Sequence, residues 1–346
     1  MLQVDNHTPF APGLAVFPDL DGREAIYLVI RASYDLDGLG PGAEPAEDQP
    51  EPELADVYRG DPERTSLAAA SEMHVGKAGT DVIVDGCARA SGGVLSEVLD
   101  VGVRVAERTK VVRVYGDRRW SQGLRGWVPS APAPFESMAL IWERACGGRG
   151  PSDPQTGRYE AEARNPVGRG FARGRPEAEL LAEPVPNLID PRAPLDYLGQ
   201  DLSPAGFAPV APSWEPRASR AGTYDEAWLK GRAPYLPADF QPAFFNVADP
   251  ELCFDRFLEG GEPVVLHNLS ARGPIQLTLP RIEFEVEVEH TRRWRLDTTL
   301  DAKLETVRFD TEAGRLSLSY RAVYSCDKHL LDVETLKISL ARLETP

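Results

Sequence analysis

Apolar and polar positions alternate with a period of two through most of the first third of the chain, the pattern of strands with one buried face. LAVFPDL from 14 to 20 and AIYLVIRASYDL from 25 to 36 flank the turn residues DLDG, which predicts an antiparallel hairpin. TDVIVDGCARA (80–90), VLDVGVRVA (98–106) and KVVRVYG (110–116) repeat the pattern at spacings suited to a sandwich or barrel. Alternation returns after residue 263. RIEFEVEVEH puts Ile282, Phe284, Val286 and Val288 on one face and four glutamates on the other. WRLDTTL, ETVRFD and RLSLSYRAVYS follow, the last two joined around TEAG, so the C-terminal part reads as an antiparallel meander with one wet face.

The middle breaks this rhythm. Residues 129–250 hold 19 of the 31 prolines, where an even spread would give about 11. Proline fixes φ and removes a backbone donor, so this stretch is not continuous sheet. It also carries Trp142, Phe171, Trp214, Trp228, Phe240 and further aromatics, which a disordered linker lacks. We therefore expect an ordered, irregular segment. Two short helices are expected: one with capping-box spacing from Thr223 to Glu226 and closed by Gly231, the other opened by Asp249 and Pro250 and ending near Gly260. GPGAEPAEDQPEPEL (40–54) is acidic and proline-rich and reads as a solvated loop. The fold class that results is mainly β, with antiparallel sandwich- or barrel-like units, a long Pro/Gly-rich irregular segment and a few short helices. The expected division is 1–140 as an N-terminal β-rich domain, 141–250 as the irregular aromatic segment and 251–346 as a C-terminal antiparallel β domain.

Composition narrows the function. Fifty-four Asp and Glu against 38 Lys and Arg give a formal net charge of −16. A nucleic-acid binder normally carries the opposite field, so none is expected as partner. The start MLQVDNHTPF lacks a basic segment followed by an apolar core, and no run reaches membrane-spanning length. No membrane is expected as partner, and the chain is assigned to the cytoplasm. Cys87, Cys146, Cys253 and Cys326 lie far apart with no CxxC pair, which reads as reduced, mostly buried thiols rather than a metal site.

RNPVGRGFARGR (164–175) has the glycines and arginines of a phosphate loop, but no buried strand leads into it and no long helix follows. Its arginines are expected to pair with Glu160, Glu162, Glu177 and Glu179, or to grip carboxylates or carbonyls of a partner. The five histidines, His7, His74, His267, His290 and His329, complete no catalytic signature. The glutamates of 283–289 sit at a spacing of roughly 7 Å along one strand face, which a solvated face explains. Aromatics beside arginines recur in YGDRRW, IWERACGG, SWEPR and AWLKGR, a pairing common both in protein-binding hot spots and in cores with snorkelling arginines. No catalytic residue, cofactor or metal is assigned.

The ordered series VYGDRRW, WERACGG, NPVGRGF, PNLIDP, PAGFAPVAPSWEPR and LPADFQPAFFNVA, with GKAGTDVIVDGCA upstream, resembles a family of uncharacterised domains encoded beside type VI secretion spike genes in Gram-negative bacteria. The resemblance spans residues 3–266, with Cys146 in place of an aromatic and Ile189 in place of an acid. It implies a non-enzymatic adaptor or chaperone that binds a secreted effector and helps load it onto a PAAR- or VgrG-type spike protein. The family's words fall on Gly116, Asp117, Arg118, Trp120, Glu143, Arg144, Asn165, Pro166, Gly168, Arg169, Gly170, Trp214, Arg217, Asp239 and Phe240; Phe171, Arg173, Arg175 and Trp228 join them as candidates for partner binding or scaffolding. The rival expectation is a carbohydrate-active enzyme or lectin-like protein on a β-sandwich, recognisable by a concave pocket with a close carboxylate pair of shifted pKa.

Overall fold

Ten consecutive residues, Ala25 to Tyr34, are buried, so the strand Glu24–Asp35 is covered on both faces and lies inside the molecule. The computed structural model describes residues 2–124, 126–291 and 298–345. Strand accounts for 39% of it and helix for 11%, which makes the fold mainly β, as the alternation predicts. The predicted hairpin forms: Ala11–Pro18 pairs antiparallel with Glu24–Asp35, and the Asp19 carboxylate accepts the Asp21 and Arg23 amides to fix the turn. Arg315–Ser325 lies on the other side of the same strand, followed by Lys303–Asp310 and, in parallel, Asp81–Asp85. This is the first five-stranded sheet.

The second sheet runs Leu188–Ile189, Arg108–Tyr115, Val98–Val105, Pro263–His267 and Ile275–Thr278. The third places Val333–Glu344 between Gln3–Asn6 and Arg281–His290, with Thr298–Asp301 outermost. Each of these three sheets therefore draws strands from both the 1–140 and the 251–346 stretches. Among the described residues no sheet closes into a barrel. The expected meander after 281 is divided instead: strands 281–290, 298–301 and 333–344 join the third sheet, while 303–310 and 315–325 cross to the first. Of WRLDTTL, residues 294–297 lie outside the described set; Thr298–Asp301 pairs with Glu285–Val288.

A continuous hydrophobic cluster links the sheets. Phe10 meets Phe284 edge-on at 5.9 Å and Phe284 meets Tyr320 at 5.1 Å, joining the first sheet to the third. On Arg281–His290 the apolar residues are buried and Glu283, Glu285 and Glu289 exposed, with Glu283 and Glu287 met across the strand by Arg342 and Lys337. This is the solvated face that the spacing predicts, not a carboxylate pair.

Two local expectations change. The acidic loop is not merely solvated, because its C-terminal part caps the first sheet. The Gln49 amide donates to Ser33 O and its oxygen accepts Ser33 N, both at 2.9 Å, and Arg31 donates to Glu51 O at 2.7 Å. A side-chain amide thus replaces a missing strand partner, which composition does not register. Helix Glu226–Gly231 is capped by Asp225, whose carboxylate accepts the Trp228 amide, and not by Thr223, which is tied to Asp239. After Asp249 only one 3₁₀ turn forms, Pro250–Leu252.

A buried ionic network lies against the first sheet. Arg31 and Ser319 bond the Glu72 carboxylate, Arg321 bonds Glu305 at 2.6 Å, and Lys77 bonds Asp81 at 2.7 Å. His74 sits among them, stacked on Phe245 with ring centroids 4.7 Å apart. Burial first, then the charges of Arg321, Lys77 and Arg217, hold its pKa well below the ordinary 6.5. The unfolded chain therefore takes up a proton near that pH that the folded chain refuses, so this contribution to stability is complete above pH 6.5 and is lost as pH falls below it. Urea denaturation between pH 6.5 and about 5 is expected to show stability falling by up to about 1.4 kcal/mol per pH unit. His74→Gln is expected to flatten that slope; an unchanged slope in the variant would assign it elsewhere.

Candidate functional site

The irregular segment 141–250 contains no regular element longer than six residues. Its carbonyls therefore lack ladder partners, and prolines supply no donors. The recognised arginines and amides fill that deficit, because a guanidinium offers five donors and no acceptor. Arg217 is buried, donates to Val210 O and Phe244 O, each at 2.7 Å, and lies 4.9 Å from the Phe244 ring centroid. Arg118 is buried over the Tyr115 ring, 3.8 Å from guanidinium to centroid, and donates to Pro186 O. Asn165, fully buried, donates to Trp142 O and Cys146 O, each at 2.9 Å. Trp214 is buried edge-on to Trp142. These four candidates are scaffold.

Trp228 and Asp239 brace the outer part of the segment. Trp228 donates its indole N–H to Tyr235 O and meets Tyr224 edge-on, and Asp239 accepts both the amide and the hydroxyl of Thr223. Phe240 packs in a ring cluster with Phe244 and Phe245.

The loop 164–175 is no phosphate cradle. Gly168 packs so closely on Asn165 that a Cβ there would lie 2.4 Å from the Asn165 amide nitrogen, and Gly170 and Gly174 take positive φ. Arg169–Gly170 forms two residues of strand parallel to Cys146–Gly147. The helix that follows, Glu177–Ala182, opens with Glu177 and Glu179, which repel an anion. Among the described residues two of the four expected glutamates are met, Glu162 by Arg164 and Glu179 by Arg175; Arg175 also pairs with Glu183 and Arg173 with Asp201, while Glu177 accepts the Trp127 indole instead.

What the loop does build is one wall of a cleft of about 100 Å³. Trp120, Arg169, Phe171 and Arg173 line it together with Cys146, Glu162, Pro186 and the loop Leu195–Leu202. The opposite wall is pinned, since Leu198 donates to Trp127 O of the hairpin that carries Trp120, and the Gln200 side chain bridges Asp196 and Pro194. Beneath it lies Asn187, fully buried, whose oxygen accepts from both Arg144 and Arg169 at 3.2 Å and whose amide donates to Tyr115 O and Asp117. The sequence signal for Asn187 is slight, an amide between Pro186 and the apolar pair Leu188–Ile189 in PNLIDP.

Neither Cys146 nor Glu162 offers a reactive group to the cleft. Burial pushes the Cys146 thiol up to about 12, so it is no thiolate nucleophile. Burial raises the Glu162 carboxyl, but hydrogen bonds from Arg164 outweigh it and hold the pKa below the usual range. The four cysteines form no disulfide. A second concavity, open and apolar, has a volume of about 450 Å³. Phe17, Met73, Val75, Pro234, Tyr235, Leu236 and Phe245 line it, between the first hairpin and the end of the aromatic segment.

Among the described residues no helix is long and apolar enough to cross a membrane. No curated protein and no solved structure matches this chain. Residues 21–321, which include every candidate residue above, match the family described as an uncharacterised protein conserved in bacteria, DUF2169. With 301 of its 346 residues inside that match, running from the first hairpin to the middle of strand Arg315–Ser325, the chain belongs to the bacterial DUF2169 family.

Proposed function

We propose that the protein is a non-enzymatic adaptor that holds an apolar segment of a secreted effector and helps load it onto a VgrG- or PAAR-type spike. The motif series supports this reading, and the apolar groove of about 450 Å³ beside Tyr235 and Leu236 carries it. The groove pairs rigid aromatic walls with the flexible Met73, a combination suited to a peptide segment. Glu162, a carboxylate of the other cleft, is paired with Arg164 and its pKa is held below the usual range, the reverse of the raised carboxyl a glycosidase acid needs.

The test is co-expression with the neighbouring effector and spike genes, followed by affinity capture. Effector is expected to co-purify with the wild type, and Leu236→Glu to reduce its yield at least about tenfold by placing a charge in the groove, with the melting temperature within a few degrees of wild type. Capture of neither effector nor spike by the wild type would sink the proposal.

A further inference from the structure

Arg169 is unlike the other arginines of its loop, Arg164, Arg173 and Arg175, each of which meets a carboxylate. In this molecule the Nε/Nη2 edge of an arginine is repeatedly closed on a carboxylate: Arg113 on Asp100, Arg164 on Glu162, Arg192 on Asp190. Arg169 donates only Nη1, to Asn187 Oδ1 at 3.2 Å, and shares that acceptor with Arg144. Among the described residues no carboxylate lies within 4.0 Å of its guanidinium, and none lies within that distance of the neighbouring buried Arg118. Arg144 alone reaches one, Asp117 at 3.5 Å. Three guanidinium groups thus converge on Pro186 and Asn187 against one carboxylate, in a chain of net charge −16. Burial first and then Arg144 depress the Arg169 pKa, and the more distant charges of Asp117, Glu183 and Glu143 oppose them without reversing the shift.

The surroundings define what would supply that charge. A planar guanidinium edge matches the two oxygens of a carboxylate, and the cleft that Arg169 lines is walled by Trp120, Phe171, Pro186 and Leu195, while its own carboxylates, Glu162 and Asp201, are held by Arg164 and Arg173. About 100 Å³ admits a carboxylate and a short apolar side chain, while the open mouth lets a chain trail outward. We propose that this cleft binds the C-terminal residue of a protein partner, its carboxylate on the Nε/Nη2 edge of Arg169 and its apolar side chain against Trp120 and Phe171. The assignment does not rest on the adaptor reading, since it concerns a different cleft and a different chemistry.

Titration calorimetry of the full chain with a short N-acetylated peptide ending in leucine tests it, run beside the same peptide with an amidated C-terminus. The free acid is expected to bind at least about tenfold more tightly, the effect of one charge-assisted pair. Arg169→Gln, which keeps a donor for Asn187, is expected to abolish the difference. Trp120→Leu, on a half-buried two-stranded hairpin outside the three main sheets, is expected to weaken acid and amide alike while keeping their ratio, and so tests the apolar wall even if the Arg169 variant folds poorly. Equal binding of acid and amide, or no binding of either, would overturn the proposal. Free leucine binding as tightly as the peptide, or inorganic phosphate displacing the peptide as well as acetate does, would overturn the chain-end assignment.

Discussion

Asp81→Ala is expected to remove about 3–5 kcal/mol of folding stability, a large part of the 5–15 kcal/mol typical of a folded domain. Asp81 is fully buried at the start of an edge strand of the first sheet. Its carboxylate accepts from Lys77 Nζ at 2.7 Å, Asn246 Nδ2 at 2.8 Å, Val247 N at 2.6 Å and Cys253 Sγ at 3.2 Å. One side chain therefore ties the returning end of the irregular segment to the sheet. Alanine leaves Lys77, also buried, with Thr306 Oγ1 as its remaining side-chain partner, and an unpaired buried ammonium costs more than the lost bonds. For that reason Lys77→Met combined with Asp81→Ala is expected to be more stable than Asp81→Ala alone. Urea denaturation of the three proteins checks this. A loss below about 1 kcal/mol for the single variant, the level of a single ordinary hydrogen bond, would show that the anchor lies elsewhere.

Asp81 also shows what the sequence conceals. TDVIVDGCARA announces a strand through its alternation, and the strand is there, but nothing in the pattern says that Asp81 faces inward to receive Asn246 and Val247, some 165 residues away. Alternation specifies which residues share a face and not which strand lies alongside. For the same reason RIEFEVEVEH was legible to the residue, whereas the crossing of Lys303–Asp310 and Arg315–Ser325 from one sheet to another was not. A subtler signal was present in charged residues within otherwise apolar strands: Arg31 in AIYLVIRASYDL and Arg321 in RLSLSYRAVYS both enter the buried network with Glu72 and Glu305. In the cleft, the aromatic and basic residues of 118–173 were visible as words. Their division into scaffold and accessible wall was not, because it depends on which carbonyls the prolines leave unpaired.

That division is measurable through Arg217 and Arg173. Arg217→Ala is expected to cost about 2–4 kcal/mol, since it strips one buried and one half-buried carbonyl of charge-assisted donors and removes the ring contact with Phe244. Arg217→Lys is expected to recover less than half of that loss. An ammonium keeps the charge but lacks the planar fork that reaches Val210 O and Phe244 O together. Arg173, by contrast, is exposed and meets only the equally exposed Asp201, so Arg173→Ala is expected to stay within about 0.5 kcal/mol of wild type. Thermal and urea unfolding of the three variants decide between two roles for the arginines of the motif series. Were Arg217→Ala as mild as Arg173→Ala, the carbonyls of the proline-rich segment would be satisfied without the guanidinium. The burial of Arg217 would then need another cause. If the two separate as expected, the arginines of SWEPR and RNPVGRGFARGR divide by burial: those inside replace the hydrogen bonds that proline denies the backbone, and only those at the cleft wall remain available to a partner.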